Sequence, residues 1–251
     1  MNMTLLDIVQ KILNDMNSDY VNSINDTEES LQVASIVEDT YYEMMNRRDW
    51  PHLKKLVGLE SFNDSFYPTY LLLPKGTKKV EWVTYNQKKE HGADDYFAPV
   101  KYLHPDEFIQ YTNGRNSSNQ NVLVVRNTEN VPLKIFNDCP PKYWTSFDDT
   151  KLFFDSYMST IEDTLQGVNA QAEVYIFPSW EMRDDFVPNL PMNVFPALLA
   201  EAKSSCFYTI KESANEKAEQ QSSRQQKWLS FQGWRTHGGI RYPNYGRRSV
   251  K

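Results

Sequence analysis

Apolar residues fall at helical spacing from the start of the chain. Leu5, Leu6, Ile8, Val9, Ile12, Leu13 and Met16 predict an amphipathic helix. Thr4 caps it, with Asp7 three residues on in a capping-box arrangement. A polar loop over 17–25 leads to a second predicted helix with Asp26 as its cap. Glu28 and Glu29 stand in its first turn, where the helix dipole favours negative charge, and Arg47 and Arg48 in its last. Leu31, Ala34, Val37, Tyr41, Met44 and Met45 form its expected buried stripe. Pro51 ends it by disfavouring the helical conformation at Trp50.

Beyond Pro51 the apolar runs shorten to strand length, at 53–59, 69–73, 79–85, 97–103, 122–126, 132–136, 151–154 and 173–177. Pro, Gly, Asn and Asp separate them, which predicts an antiparallel sandwich or small barrel. One short helix interrupts the series: His104-Pro105-Asp106-Glu107 places Pro and two acids at a helix start, ahead of Phe108, Ile109 and Tyr111. Residues 113–121 are polar throughout and read as an exposed, mobile loop.

A third predicted helix opens at 191–196. Val194, Phe195, Leu198, Leu199, Ala202, Cys206, Tyr208 (or Phe207) and Ile210 make its first half apolar, while 211–226 is nearly all polar. Continuous from Val194 to Leu229, it would span roughly 54 Å. A helix polar all round does not pack on its own core, so its second half is expected to project outward or to lie on a neighbouring subunit. After Gln232, Gly233, Gly238, Gly239, Pro243 and Gly246 predict an extended, irregular arm. The expected fold is α+β. N-terminal helices (1–51) and a long helix (191–231) form a helical bundle, a β-rich domain (52–190) is inserted between them, and an extended arm (232–251) follows.

Charge changes this picture at the C-terminus. Residues 220–251 hold seven basic side chains and no acidic one, so the remainder carries 20 Lys and Arg against 33 acids. Trp228, Phe231, Trp234, Tyr242 and Tyr245 are interleaved with Arg224, Lys227, Arg235, Arg241, Arg247, Arg248 and Lys251. Such a segment has too many large apolar groups for a solvating linker and too few for a core of its own, so it reads as an arm ordered by docking. Trp, Tyr and Arg are the types that anchor protein interfaces. The acidic body excludes a general nucleic-acid binder and fits walls past which DNA slides. The 40% apolar content is enough for a sizeable core. No apolar run approaches the roughly 20 residues of a membrane helix, and the N-terminus lacks a basic, cleavable leader, so a soluble protein without a signal peptide is expected.

Catalytic and metal chemistry find no motif. His52, His91, His104 and His237 have no ligand spacing, and Cys139 and Cys206 lie far apart. Asp148, Asp149 and Asp155 form the densest carboxylate cluster, which reads as a turn between strands. Glu162-Asp163 and Asp184-Asp185 are similar. No catalytic residue, metal or cofactor is therefore expected. Two other readings remain open: a cell-wall hydrolase using acids such as Asp148, Glu162 or Asp163, and nucleic-acid binding through the basic tail.

Two stretches carry a family likeness. One is Asn25-Asp26-Thr27-Glu28-Glu29-Ser30-Leu31-Gln32-Val33-Ala34, continuing through Ile36, Asp39, Tyr41, Glu43 and Arg48-Asp49-Trp50-Pro51. The other is Pro141-Lys142-Tyr143-Trp144-Thr145-Ser146-Phe147-Asp148-Asp149 with Phe154-Asp155-Ser156-Tyr157. Both resemble the head–tail adaptors of short-tailed bacteriophages, the tail tubular protein A-like group, and the order of elements matches over most of the chain. The resemblance implies a virion protein at the portal vertex, assembled in the host cytoplasm as a ring of about twelve copies around a channel for the genome. It implies a C-terminal arm that docks on the portal, carried here by Arg224 to Lys251 with Trp228, Phe231, Trp234 and Tyr242 as anchors. It implies a β-domain facing a tail nozzle, with tail fibres as further partners, and no membrane. Cell-wall hydrolysis has been proposed for some relatives, but no residue seen here supports it.

Overall fold

The computed structural model describes residues 3–62, 64, 66–87, 94–127, 129–160, 170–213 and 215–233, without the side chains of 231–233. Its helices are α1 (Leu5–Asp15), α2 (Glu28–Arg47), α3 (Pro105–Asn113), α4 (Phe195–Lys211) and α5 (Glu216–Gly233). Its strands are β1 (Lys54–Gly58), β2 (Glu60–Ser61), β3 (Tyr70–Leu72), β4 (Thr77–Asn86), β5 (Phe97–Tyr102), β6 (Val122–Arg126), β7 (Pro132–Phe136), β8 (Tyr143–Thr145), β9 (Lys151–Phe154) and β10 (Ala170–Ile176). The chain is α+β and divides into two compact units, Met1–His52 with Pro178–Lys251, and Leu53–Phe177.

In the first unit the capping box of α1 forms as expected. Asp7 N–H donates to Thr4 Oγ1 at 3.1 Å, and Thr4 N–H to the Asp7 carboxylate at 3.0 Å. Leu5, Ile8, Val9, Ile12 and Leu13 are buried beneath it. The cap of α2 is Thr27 rather than Asp26. Thr27 and Ser30 exchange side-chain and backbone bonds at 3.0 and 3.1 Å, while Asp26 reaches back to the N–H groups of Asn22 and Ser23. Val33, Ala34, Val37, Tyr41, Met44 and Met45 are buried, whereas Leu31 lies a residue off this row and is exposed. α2 packs on α1 and α4, which contributes Phe195, Leu198, Ala202 and Cys206.

Two expectations change here. The single long helix is broken: α4 stops at Lys211, Glu212 turns left-handed (φ 49°), and α5 folds back along α4. Folding back buries Ala218, Ser222 and Leu229, which a straight extension would leave in water. The inserted domain ends at Phe177 rather than 190, because residues 178–190 belong with the helices. Trp180 packs on Tyr41 with ring centroids 5.0 Å apart, and the Asp184 carboxylate accepts from Ile24 N–H at 2.8 Å.

The second unit is a mixed eight-stranded sheet in the order β1-β10-β4-β5-β8-β9-β3-β2. Its edge strands β1 and β2 are separated in sequence only by Leu59, so the sheet nearly closes on itself. Each predicted strand segment holds a strand, but the sheet is not wholly antiparallel: β5 and β8 run parallel. A parallel pair needs a long crossover, which α3 and the β6–β7 hairpin supply. Phe153, Phe154, Leu152, Val83 and Val174 fill the core with Phe108 of α3.

The loop after α3, expected to be exposed, contributes a buried cation. Arg115 is 8% exposed and Asp155 2%, and they pair at 2.7 Å. The Arg115 guanidinium also donates to the backbone oxygens of Lys134 and Asp155, and it stacks on Phe136 with 4.2 Å to the ring centroid. The second Asp155 oxygen accepts the N–H groups of Lys142 and Tyr143, both at 2.9 Å.

Arg115→Met should lower unfolding free energy by about 3–5 kcal/mol in urea titrations, because it leaves the Asp155 carboxylate buried without its cation. Glu212→Gly should raise it by about 1 kcal/mol, by relieving a left-handed conformation that disfavours a side chain.

Candidate protein-interaction site

The arm residues that fall within the described chain sit on α5. Arg224 and Trp228 are one helical turn apart on its exposed side, opposite the buried Ala218, Ser222 and Leu229. Trp228 is 40% exposed, a large aromatic left at the surface of an otherwise polar helix. Lys227 lines the neighbouring flank. Phe231 lies in the last turn of α5, and its side chain is outside the described residues, as are Trp234, Arg235, Arg241, Tyr242, Tyr245, Arg247 and Arg248.

Lys227 borders a polar groove of about 570 Å³ between the end of α2, α4 and α5. Arg48 donates across it to the Gln226 backbone oxygen at 3.2 Å and to the Ser230 hydroxyl at 3.1 Å. Arg47 is held by Glu43 and by Glu201, and Ser222 donates to the same Glu201. These charge-assisted bonds explain how a helix with so little apolar surface stays docked. Trp50 anchors the end of α2 by donating from Nε1 to the Met44 backbone oxygen at 2.8 Å, and it shares a small recess with Leu229. Only the spacing of Ala218, Ser222 and Leu229 hinted at an inward face.

The described carboxylates singled out in the sequence occupy structural positions. Asp148 caps the β8–β9 turn by accepting the N–H groups of Thr150 and Lys151, each at 3.0 Å. Burial opposes its ionisation, but these bonds and the Lys151 ammonium outweigh it and hold the carboxyl below its usual range. Asp149 follows in the left-handed conformation (φ 57°) that closes the same turn. Asp155 is committed to Arg115, Asp184 to the turn before α2, and Asp185 to Arg183. Glu162 and Asp163 lie outside the described residues, as do His91 and His237.

His52 contacts the Asn189 backbone oxygen at 3.0 Å, and burial lowers its pKa. His104 pairs with Asp106 at the exposed start of α3. Among the described residues no group of three or more His, Cys, Asp and Glu is placed to hold a metal. Neither is any helix among the described residues long and apolar enough to cross a membrane. Cys139 and Cys206 are both free thiols, and burial pushes Cys206 up to about 12. Comparison with known proteins finds no family model that matches the chain and no curated protein that matches its sequence.

Two outcomes are expected. Asp148→Asn should be less stable than the parent at neutral pH. The depressed carboxyl pKa means that the parent's advantage is present above the unfolded-state value, so the gap should close as acidification passes below the ordinary carboxylate range. Cys206 should resist a thiol reagent in the native protein and react only as the helical unit opens, a rate that Ellman's reagent reads.

Proposed function

We propose that this chain is a structural virion protein, a head-to-tail adaptor that forms a ring of about twelve copies between the portal and the tail nozzle. α1, α2, α4 and α5 serve as the bundle, and the β-rich unit faces the next tail component. The C-terminal segment docks on the portal, and the ring's channel passes the genome. The observation that carries the reading is the cationic, aromatic surface of α5, Arg224 with Trp228, on an otherwise acidic chain. This surface leads directly into residues 234–251, which add five basic side chains and three aromatic ones. Both suit a protein partner that presents acids and apolar pockets. The likeness of the segments ending at Trp50-Pro51 and around Phe147-Asp148-Asp149 to the adaptor group supports the same assignment.

Light scattering on the purified protein, alone and mixed with the portal ring of the same virus, tests this. The expected result is a monomer that becomes a stoichiometric portal-bound ring. A protein that ignores the portal overturns the reading. A chain ending at Gln232 should fold as the parent does by circular dichroism but lose portal binding. Unchanged affinity in that variant would remove the arm from the interface.

A further inference from the structure

Strands β3 and β9 and two turns of the second unit surround a cavity of about 220 Å³. One turn joins β6 to β7. Asn127 fixes it, its side-chain oxygen accepting the N–H groups of Glu129 at 3.0 Å and Val131 at 2.8 Å. Asn130 closes it in the left-handed conformation (φ 64°). This geometry carries Glu129 to the cavity, as an exposed side chain at its rim. The other turn joins β8 to β9 and supplies Phe147, Asp148 and Lys151. Tyr70 of β3 and Phe153 of β9 complete the lining and are directly paired in the ladder. Paired residues share one face of a sheet, and here the rings meet edge to face with centroids 4.7 Å apart. The Phe147 ring lies 6.0 Å from that of Phe153.

One polar group of this lining is unmet. Tyr70 is 6% exposed, and its hydroxyl is buried without a hydrogen-bond partner. Native folds rarely leave such a group unpaired, so it points to a partner that the chain itself does not supply. A single water needs only about 10–15 Å³, and the cavity holds something larger. Its charges say what. Lys151 pairs with Asp148 at 3.4 Å and lies 5.4 Å from the Phe62 ring centroid. Glu129 has no ion pair among the described residues, so two carboxylates face one cation and the lining is net negative. Burial first, then the neighbouring Tyr67 and Asp148, push the Tyr70 hydroxyl up to about 12. The hydroxyl is therefore neutral, in the field of a carboxylate, and suited to accept a bond from a cationic donor. The faces of the phenylalanine rings also attract cations.

We propose that this cavity binds a primary alkylammonium group, that of a lysine side chain or of a small free amine. Its N–H groups donate to the Tyr70 hydroxyl and to the Glu129 carboxylate. Its alkyl chain lies against the rings of Phe147 and Phe153. The guest reaches the shielded hydroxyl by rotation of the exposed rim side chains, Phe147 and Glu129. The proposal stands independently of the adaptor reading.

The test titrates the full-length, nitrogen-15-labelled protein with n-butylammonium chloride at constant ionic strength. Amide resonances of Glu129, Phe147 and Lys151 should shift and saturate. Glu129→Gln should weaken binding at least about tenfold, and so should Tyr70→Phe. Without the amine, Tyr70→Phe should be at least as stable as the parent in urea, because its hydroxyl has no bond to lose. Nα-acetyllysine methylamide identifies the source. Tighter binding than butylammonium assigns the cavity to a lysine side chain of a protein, and weaker binding to a free amine. The proposal is overturned by any of three results: no saturable shift up to about 50 mM amine, an equal response to sodium chloride or sodium acetate, or undiminished affinity in either variant.

Discussion

The buried ion pair between Arg115 and Asp155 is the constraint on which the β-rich unit depends. Two opposite charges removed from water are tolerable only when their remaining hydrogen-bonding capacity is met. Here the guanidinium takes up backbone oxygens of Lys134 and Asp155, and the carboxylate takes up the N–H groups of Lys142 and Tyr143. One pair therefore fixes the end of α3, the strand β7, the entry to β8 and the exit from β9. The parallel alignment of β8 with β5 follows, because Tyr143 can start its strand only where Asp155 holds it.

The helical unit solves a different problem. α4 is apolar enough to be a core element, but α5 is not. Its attachment rests on small buried residues and on polar bonds from Arg48 and Glu201. A docked helix of this kind keeps its outer face unencumbered, and that face carries Arg224 and Trp228. The adaptor reading makes use of this: the surface nearest the basic, aromatic end of the chain is held by contacts that involve little apolar burial.

Much of the fold was legible in the sequence. The α1 capping box, most of the stripes of α1 and α2 and eight of the ten described strands followed from spacing and turn residues, whereas the short β2 and β8 did not. What escaped depended on partners remote in sequence. Arg115 sits among Asn, Ser and Gly, and nothing local signals that a carboxylate 40 residues away will bury it. The break at Glu212 escaped because no Gly or Pro marks it, and the gain that drives it comes from α4. Asp26 read as the cap of α2, but the reciprocal bonds with Ser30 belong to Thr27, which the sequence reading passed over. For the interaction site, the residue types were visible and the face they share on α5 was not. The cavity beside Tyr70 had no local signature, because β3, β9 and the β6–β7 turn meet there from separate stretches of the chain.

The nesting of the two units constrains the order in which the chain is made into a protein. β1 is the first strand to leave the ribosome, yet one of its sides waits for β10, whose residues are the last of the β-rich unit. α1 and α2 wait longer still, for α4. Until then α2 lacks the helix it packs on, and Tyr41 lacks the Trp180 ring that lies against it. The inserted unit can therefore be finished while the unit that encloses it in sequence is still open. During synthesis the N-terminal helices are the part of the nascent chain most in need of protection from premature contacts.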